Sequence, residues 1–185
     1  QQAGLGGGSM NAANILNFLI KKKFLRLNQK KILEITSLIG SDVILGINPI
    51  NTILSSNNKI KKFSKSLNFH TLLVRPNFGC STKKIYSGVK NYTKPVFNSP
   101  KRNMFSLRFL LKQENALEKI AFLKYPKLKV LKSFLENLNK PLFVRMTGSG
   151  SILIAYYQKK QDCDLAKVQF KRKFKDYWCI TSKTI

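Results

Sequence analysis

The chain has 185 residues, 43% hydrophobic and 11% aromatic, enough apolar material to bury a core and unlike a disordered segment. Lys and Arg number 34 against 8 Asp and Glu, a net charge of +26 that directs attention to anionic partners. No stretch approaches the roughly 18 to 20 uninterrupted apolar residues of a membrane span. The three cysteines, Cys80, Cys163 and Cys179, have neither CxxC nor His-paired spacing, which argues against a disulfide framework and against zinc.

The first residues form a glycine-rich turn, Gly4-Leu5-Gly6-Gly7-Gly8-Ser9. A phosphate loop is ordinarily fed by a strand. Only Gln1, Gln2 and Ala3 precede the first glycine, so the expectation is that a segment upstream is missing. Residues 11–24 then read as a helix with Ala12, Ile15, Leu16, Leu19 and Ile20 on one face and a basic end at Lys21, Lys22 and Lys23. A second helix is expected from Asn28 as N-cap to Gly40 as terminator. Gly40-Ser41-Asp42 makes a turn, and the apolar runs 43–47 and 52–54 read as a strand pair. The stretch 48–68, rich in Asn, Ser and Lys, is the best boundary candidate.

Residues 69–75 follow as a strand halted by Pro76, which offers no N–H to a ladder. Ser81 caps a helix that runs through Tyr86 and Val89. Helical patterns recur at 106–111, 116–123 and 128–138, separated by Asn115 and Pro126. Residues 142–145 and 152–157 read as strands around a second glycine turn, Thr147-Gly148-Ser149-Gly150-Ser151. A helix over 163–174 and a strand over 177–181 complete an α+β chain without internal repeats.

Three pieces of this chain can carry chemistry. In the first glycine turn, missing side chains let backbone N–H groups approach phosphate oxygens, and the following helix adds its positive N-terminal end. It is neither a Walker A loop nor a dinucleotide fingerprint, and a flexible turn or linker is the plain alternative. Asp42 is an acid in a chain with few of them: either a turn aspartate or a carboxylate that accepts or orients a hydroxyl proton during phosphoryl transfer. The second glycine turn is either a hairpin connection or a loop that closes on phosphates or substrate.

In this order and spacing, the three pieces resemble the kinase superfamily named for galactokinase, homoserine kinase, mevalonate kinase and phosphomevalonate kinase. The match narrows to the family of 4-diphosphocytidyl-2-C-methyl-D-erythritol kinases. It is carried by the first glycine turn with Asn11-Ala12-Ala13, by Gly40-Ser41-Asp42-Val43, and by 76–86 with Ser81-Thr82. Asn115-Ala116-Leu117-Glu118 before Tyr125-Pro126, Met146 to Ser151, and the C-terminal residues 178–185 extend it over essentially the whole chain. Met10, Ile44 and Ala116 depart from the family's usual residues without removing a catalytic atom.

The resemblance implies a two-lobed small-molecule kinase fold. Residues 1–66 would be the end of an N-terminal, ATP-binding domain and residues 67–185 a ferredoxin-like C-terminal domain. The reaction implied is transfer of the γ-phosphoryl group of ATP to the 2-hydroxyl of a cytidyl diphosphate sugar alcohol, in the non-mevalonate route to isoprenoids. By position Asp42 matches the catalytic aspartate. Ala3, Gly4, Leu5, Gly6, Gly7, Gly8, Ser9 and Met10 match the ATP loop, with Ser9 as a hydroxyl contact to phosphate or Mg2+. Thr82, Tyr86, Gly148, Ser149 and Gly150 match the substrate side, Tyr86 either stacking on the base or packing in the core. The family's catalytic lysine falls upstream of Gln1, so the stretch alone is expected to bind nucleotide weakly and turn over poorly.

The high charge is read as compositional bias on a solvated surface, since the lysines spread over every segment, as at Lys83-Lys84, Lys159-Lys160 and Lys171-Arg172-Lys173. A basic nucleic-acid-binding module is the alternative; it explains the charge but not the glycine turns. The expected setting is cytoplasmic, with no membrane partner and nucleic acid an unfavoured one.

Overall fold

The computed structural model describes residues 5–55, 59–64, 68–92 and 94–184. Helix α1 (Gly7–Lys21) begins inside the glycine run, four residues earlier than the apolar spacing indicates, because Gly6 takes the left-handed conformation (φ 63°) at the N-cap and Gly7 and Gly8 already continue as helix. Its buried residues are Ala13 and Leu16, while Ile15 is 61% exposed, so the inward face keeps Leu16 of the expected stripe but is rotated toward Ala13 and away from Ile15. Helix α2 (Gln29–Ile39) has the expected ends: Lys31 N–H donates to the Asn28 side chain at 2.9 Å, and Gly40 follows the last turn.

The apolar run after Asp42 is a helix, not a strand. Val43 N–H donates to Gly40 O and Leu45 N–H to Asp42 O, both at 3.1 Å, and the chain closes one helical turn, α3 (Val43–Gly46). Four apolar residues are too few for periodicity to separate a turn of helix from a strand. Strand β1 (Asn51–Leu54) pairs instead, antiparallel, with β2 (Ile60–Phe63), which lies within the stretch assigned to the boundary. Two lysines at the centre of β2 hide it from a hydropathy pattern; one of them, Lys62, donates to Ile47 O at 2.6 Å.

The rest of the chain builds one antiparallel sheet covered by helices. Its strands are β3 (His70–Arg75), β4 (Phe143–Met146), β5 (Leu153–Tyr157) and β6 (Trp178–Lys183), in the order β4-β5-β3-β6. Between β3 and β4 run α4 (Thr82–Tyr86), a short 3-10 helix (Arg102–Phe105), α5 (Leu107–Leu111), α6 (Glu118–Lys124) and α7 (Pro126–Glu136); α8 (Lys160–Lys173) joins β5 to β6. This strand order with a helical crossover on each side of a central hairpin is the ferredoxin-like split βαβ arrangement.

Leu72 and Val74 of β3, Val144 of β4 and Ala155 of β5 turn one face of the sheet toward Leu128, Leu131 and Leu135 of α7 and toward Cys163, Ala166 and Phe170 of α8. The spacing of three and four on each helix creates the stripe, and each fully buried leucine contributes about 1.5 to 3 kcal/mol. No helix among the described residues is long and apolar enough to cross a membrane.

Candidate active site

Residues 5–8 of the first glycine turn are exposed, and among the described residues, chain neighbours and the helix's own backbone apart, no heavy atom lies within 4 Å of where a Cβ would stand on Gly6, Gly7 or Gly8. Among the described residues no side chain caps the start of α1, whose first N–H groups lack an intrahelical partner. Ser9 and Met10 are half-buried on the same turn. Ala3 and Gly4 lie outside the described residues.

Helix α1 rests on α3, and the contact is close. A Cβ on Gly46 would lie 2.6 Å from the Ala13 methyl and 2.8 Å from Met10 Cε, and Asn17 Nδ2 donates to Gly46 O at 3.2 Å. Asp42 opens α3 four residues before that contact. Thus the helix that presents the first glycine turn and the short helix that carries Asp42 share one seam. The Asp42 carboxylate is exposed; among the described residues it accepts only from Ser41 Oγ, at 3.3 Å. A cleft of about 450 Å³, lined by Leu33, Thr36, Ser41, Ile44, Leu54 and Ile60, reaches the residue beside it.

The second glycine turn is held from both sides. Gly148 and Gly150 have φ of 53° and 83°, conformations that disfavour side chains, and a Cβ on Gly150 would come within 2.8 Å of Met146 Sδ and 3.2 Å of Cys80 Sγ. Thr82 Oγ1 and Ser149 Oγ share a hydrogen bond of 2.9 Å, which brings together two residues 67 positions apart that the resemblance assigns to the substrate side. Ser151 Oγ donates to Phe78 O at 2.9 Å. Tyr86 is 58% exposed while its neighbour Ile85 is fully buried, so Tyr86 is not a core residue. Burial pushes the Cys80 thiol up to about 11, which keeps it protonated beneath the turn.

Glu118 places a buried carboxylate at the end of β4. It is 8% exposed; its Oε1 accepts from Met146 N–H at 2.6 Å and its Oε2 from Lys132 Nζ at 2.7 Å. Asn115 Nδ2 donates to both Met146 O and Gly148 O. Their place in the family pattern is the signal that singles them out; no local spacing tells what they bind, since Met146 and Gly148 lie about 30 residues away.

Residues 95–176 match the family described as GHMP kinases C terminal. The chain is 54% identical over all of its 185 residues to the 4-diphosphocytidyl-2-C-methyl-D-erythritol kinase of Pelagibacter ubique, of which it spans 66%. It is 30% identical, again over its whole length, to the enzyme of that name in Clostridium tetani, spanning 67% of it. A crystal structure of 4-(cytidine 5'-diphospho)-2C-methyl-D-erythritol kinase superposes with a TM-score of 0.76 at 21% identity, over 98% of this chain and 66% of that one. The chain therefore spans about two-thirds of the length of the relatives it matches. The glycine turns in their order, the ferredoxin-like sheet and these likenesses together establish that the chain belongs to the 4-diphosphocytidyl-2-C-methyl-D-erythritol kinase family, within the GHMP kinases.

Proposed function

We propose that the protein carrying this chain transfers the γ-phosphoryl group of ATP to the 2-hydroxyl of 4-diphosphocytidyl-2-C-methyl-D-erythritol, yielding ADP and the 2-phosphate, a step of non-mevalonate isoprenoid biosynthesis. The observation that carries the reading is the 54% identity to the Pelagibacter enzyme along the entire chain. In this reading Leu5 to Met10, with Ala3 and Gly4 ahead of them, hold the ATP phosphates through backbone N–H groups. Asp42 accepts or orients the hydroxyl proton of the alcohol. Phosphoryl transfer asks chiefly for positioning and charge stabilisation, and a turn and a carboxylate mounted on one helix seam offer the first.

Mg2+ would accompany the nucleotide phosphates, with Ser9 at the start of α1 as its hydroxyl contact. Bound there, it would neutralise phosphate charge. Thr82, Gly148, Ser149 and Gly150 would hold the substrate, and Tyr86 would offer its exposed ring to cytosine. The cytoplasm, where ATP is at hand, is the proposed setting.

We place the domain boundary at residue 66. The main core runs from Leu72 to Cys179, while Ala13, Leu16, Val43 and Ile53 are buried outside it, which supports the division. The basic nucleic-acid-binding alternative receives no support from the comparisons.

The test is to incubate the full-length protein with ATP, Mg2+ and the cytidyl substrate, following ADP release and a new phosphomonoester by phosphorus NMR. The expected result is substrate-dependent ADP release with one new phosphomonoester signal. ADP release that the cytidyl substrate does not stimulate would overturn the reading.

A further inference from the structure

We propose that Asn115 and Glu118 are positioning residues that clamp the second glycine turn in the conformation that receives the cytidyl substrate. The inference rests on the kinase reading above and names a part of that site which contacts no substrate itself.

Strand β4 is an edge of the sheet, so alternate residues direct backbone groups away from β5. Met146 is the last residue of β4 and both of its outward groups are taken by side chains from α6 and the turn just before it. Its N–H donates to Glu118 Oε1 at 2.6 Å, and its carbonyl accepts from Asn115 Nδ2 at 2.9 Å. The same Asn115 amide donates to Gly148 O at 2.8 Å, so one side chain spans the entrance of the turn. Its orientation is settled by the backbone, because Leu117 N–H donates to Asn115 Oδ1 at 2.9 Å and leaves the NH2 for the two carbonyls.

The clamp has a directional consequence. In a trans peptide the C=O and the following N–H point to opposite sides. With Gly148 O fixed on Asn115, the Ser149 N–H is aimed away from that side chain, and Ser149 itself is only 7% exposed. Ser149 Oγ is meanwhile tied to Thr82, on the helix that carries exposed Tyr86.

The chemistry of Glu118 also speaks for geometry over bulk stability. A carboxylate that is 8% exposed sacrifices hydration, and a buried ion pair is commonly no more stabilising than an apolar replacement. Its charge-assisted bond to Met146 N–H, itself backed by Lys132, fixes the end of β4 in a way that an apolar side chain does not.

The experiment compares wild type, Asn115→Asp, Asn115→Ala and Glu118→Gln in the full-length protein, with calorimetric binding of cytidine 5'-diphosphate and of a non-hydrolysable ATP analogue. Asn115→Asp sets a carboxylate against two carbonyl oxygens. Its cytidine diphosphate affinity is expected to fall about tenfold, with ATP-analogue affinity within about twofold of wild type, since losing two hydrogen bonds is worth roughly that factor. Glu118→Gln keeps the acceptor for Met146 N–H and is expected to bind cytidine diphosphate within about threefold of wild type. If Asn115→Asp does not fold, Asn115→Ala carries the same prediction. Folded Asn115 variants that bind cytidine diphosphate like wild type, or that lose both ligands equally, overturn the clamp, as does a Glu118→Gln protein that loses cytidine diphosphate as far as the Asn115 variants do. A wild type that binds neither ligand overturns the kinase reading itself, and the clamp with it.

Discussion

Replacing Gly46 by Ala tests the seam on which the proposed chemistry depends. The added Cβ would stand 2.6 Å from the Ala13 methyl and 2.8 Å from Met10 Cε. Ordinary carbon contacts lie near 3.5 to 4.0 Å, so about 1 Å of separation is required. Met10 can swing aside, because its thioether ends a flexible chain. Ala13 cannot: its methyl is fixed to the α1 backbone and the residue is fully buried. Overpacking of this kind costs about 1 to 3 kcal/mol, and the better helix propensity of Ala returns less than about 1 kcal/mol at the last residue of a one-turn helix. The net expectation is a loss of about 1 to 2 kcal/mol, read from the urea denaturation midpoint. A double-mutant cycle sharpens it. Ala13→Gly alone costs about 1 kcal/mol in a helix interior, but combined with Gly46→Ala it removes the immovable half of the clash. The double variant should therefore be more stable than the sum of the singles by at least about 1 kcal/mol. A Gly46→Ala protein as stable as wild type, or an additive cycle, would refute the close seam.

Two further predictions follow from single contacts and burial. Asn28→Ala removes the acceptor for Lys31 N–H at the start of α2 and should destabilise the protein by about 1 kcal/mol, by urea denaturation. Burial pushes the thiols of Cys80 and Cys163 up to about 11, against an ordinary value of 9.0. The native state holds these protons where the unfolded state has released them. The stabilisation is thus complete below about pH 9 and lost as pH rises toward about 11. Denaturation midpoints from pH 8 to 11 should fall less steeply in a Cys80→Ala, Cys163→Ala protein; equal slopes would refute it.

Most elements of the larger sheet were legible in the sequence because its signals are local. Pro76 ends β3, Ser81 and Ser106 each accept a backbone N–H at a helix start, and the glycine turn between the apolar runs 142–145 and 152–157 marks the hairpin. The segment from Asp42 to Phe63 was less legible. There α3 is too short to show a period, and β2 carries lysines whose roles are tertiary, as with Lys62 on Ile47 O. On α1 the sequence pattern places Leu16 inward as found, and Ile15 is the residue that departs from it. Gly46 admits Ala13 so closely that a small residue, and not the larger Ile15, defines the buried side. In the candidate site, the glycine turns and Asp42 stand out by residue type. The clamp of Asn115 and Glu118 does not, since its meaning comes from Met146 and Gly148, which only the fold brings near.

The proposed role of Asp42 is open to the most direct measurement. Asp42→Asn preserves size and the exposed position, and the carboxylate's contact is with Ser41 alone among the described residues, so stability should stay within about 0.5 kcal/mol of wild type. With the full-length protein and the cytidyl substrate, the account predicts that kcat falls by about 10² to 10⁴, the usual range for a lost general base, while the affinity for the ATP analogue is kept. A folded Asp42→Asn protein that turns over at the wild-type rate would contradict the account.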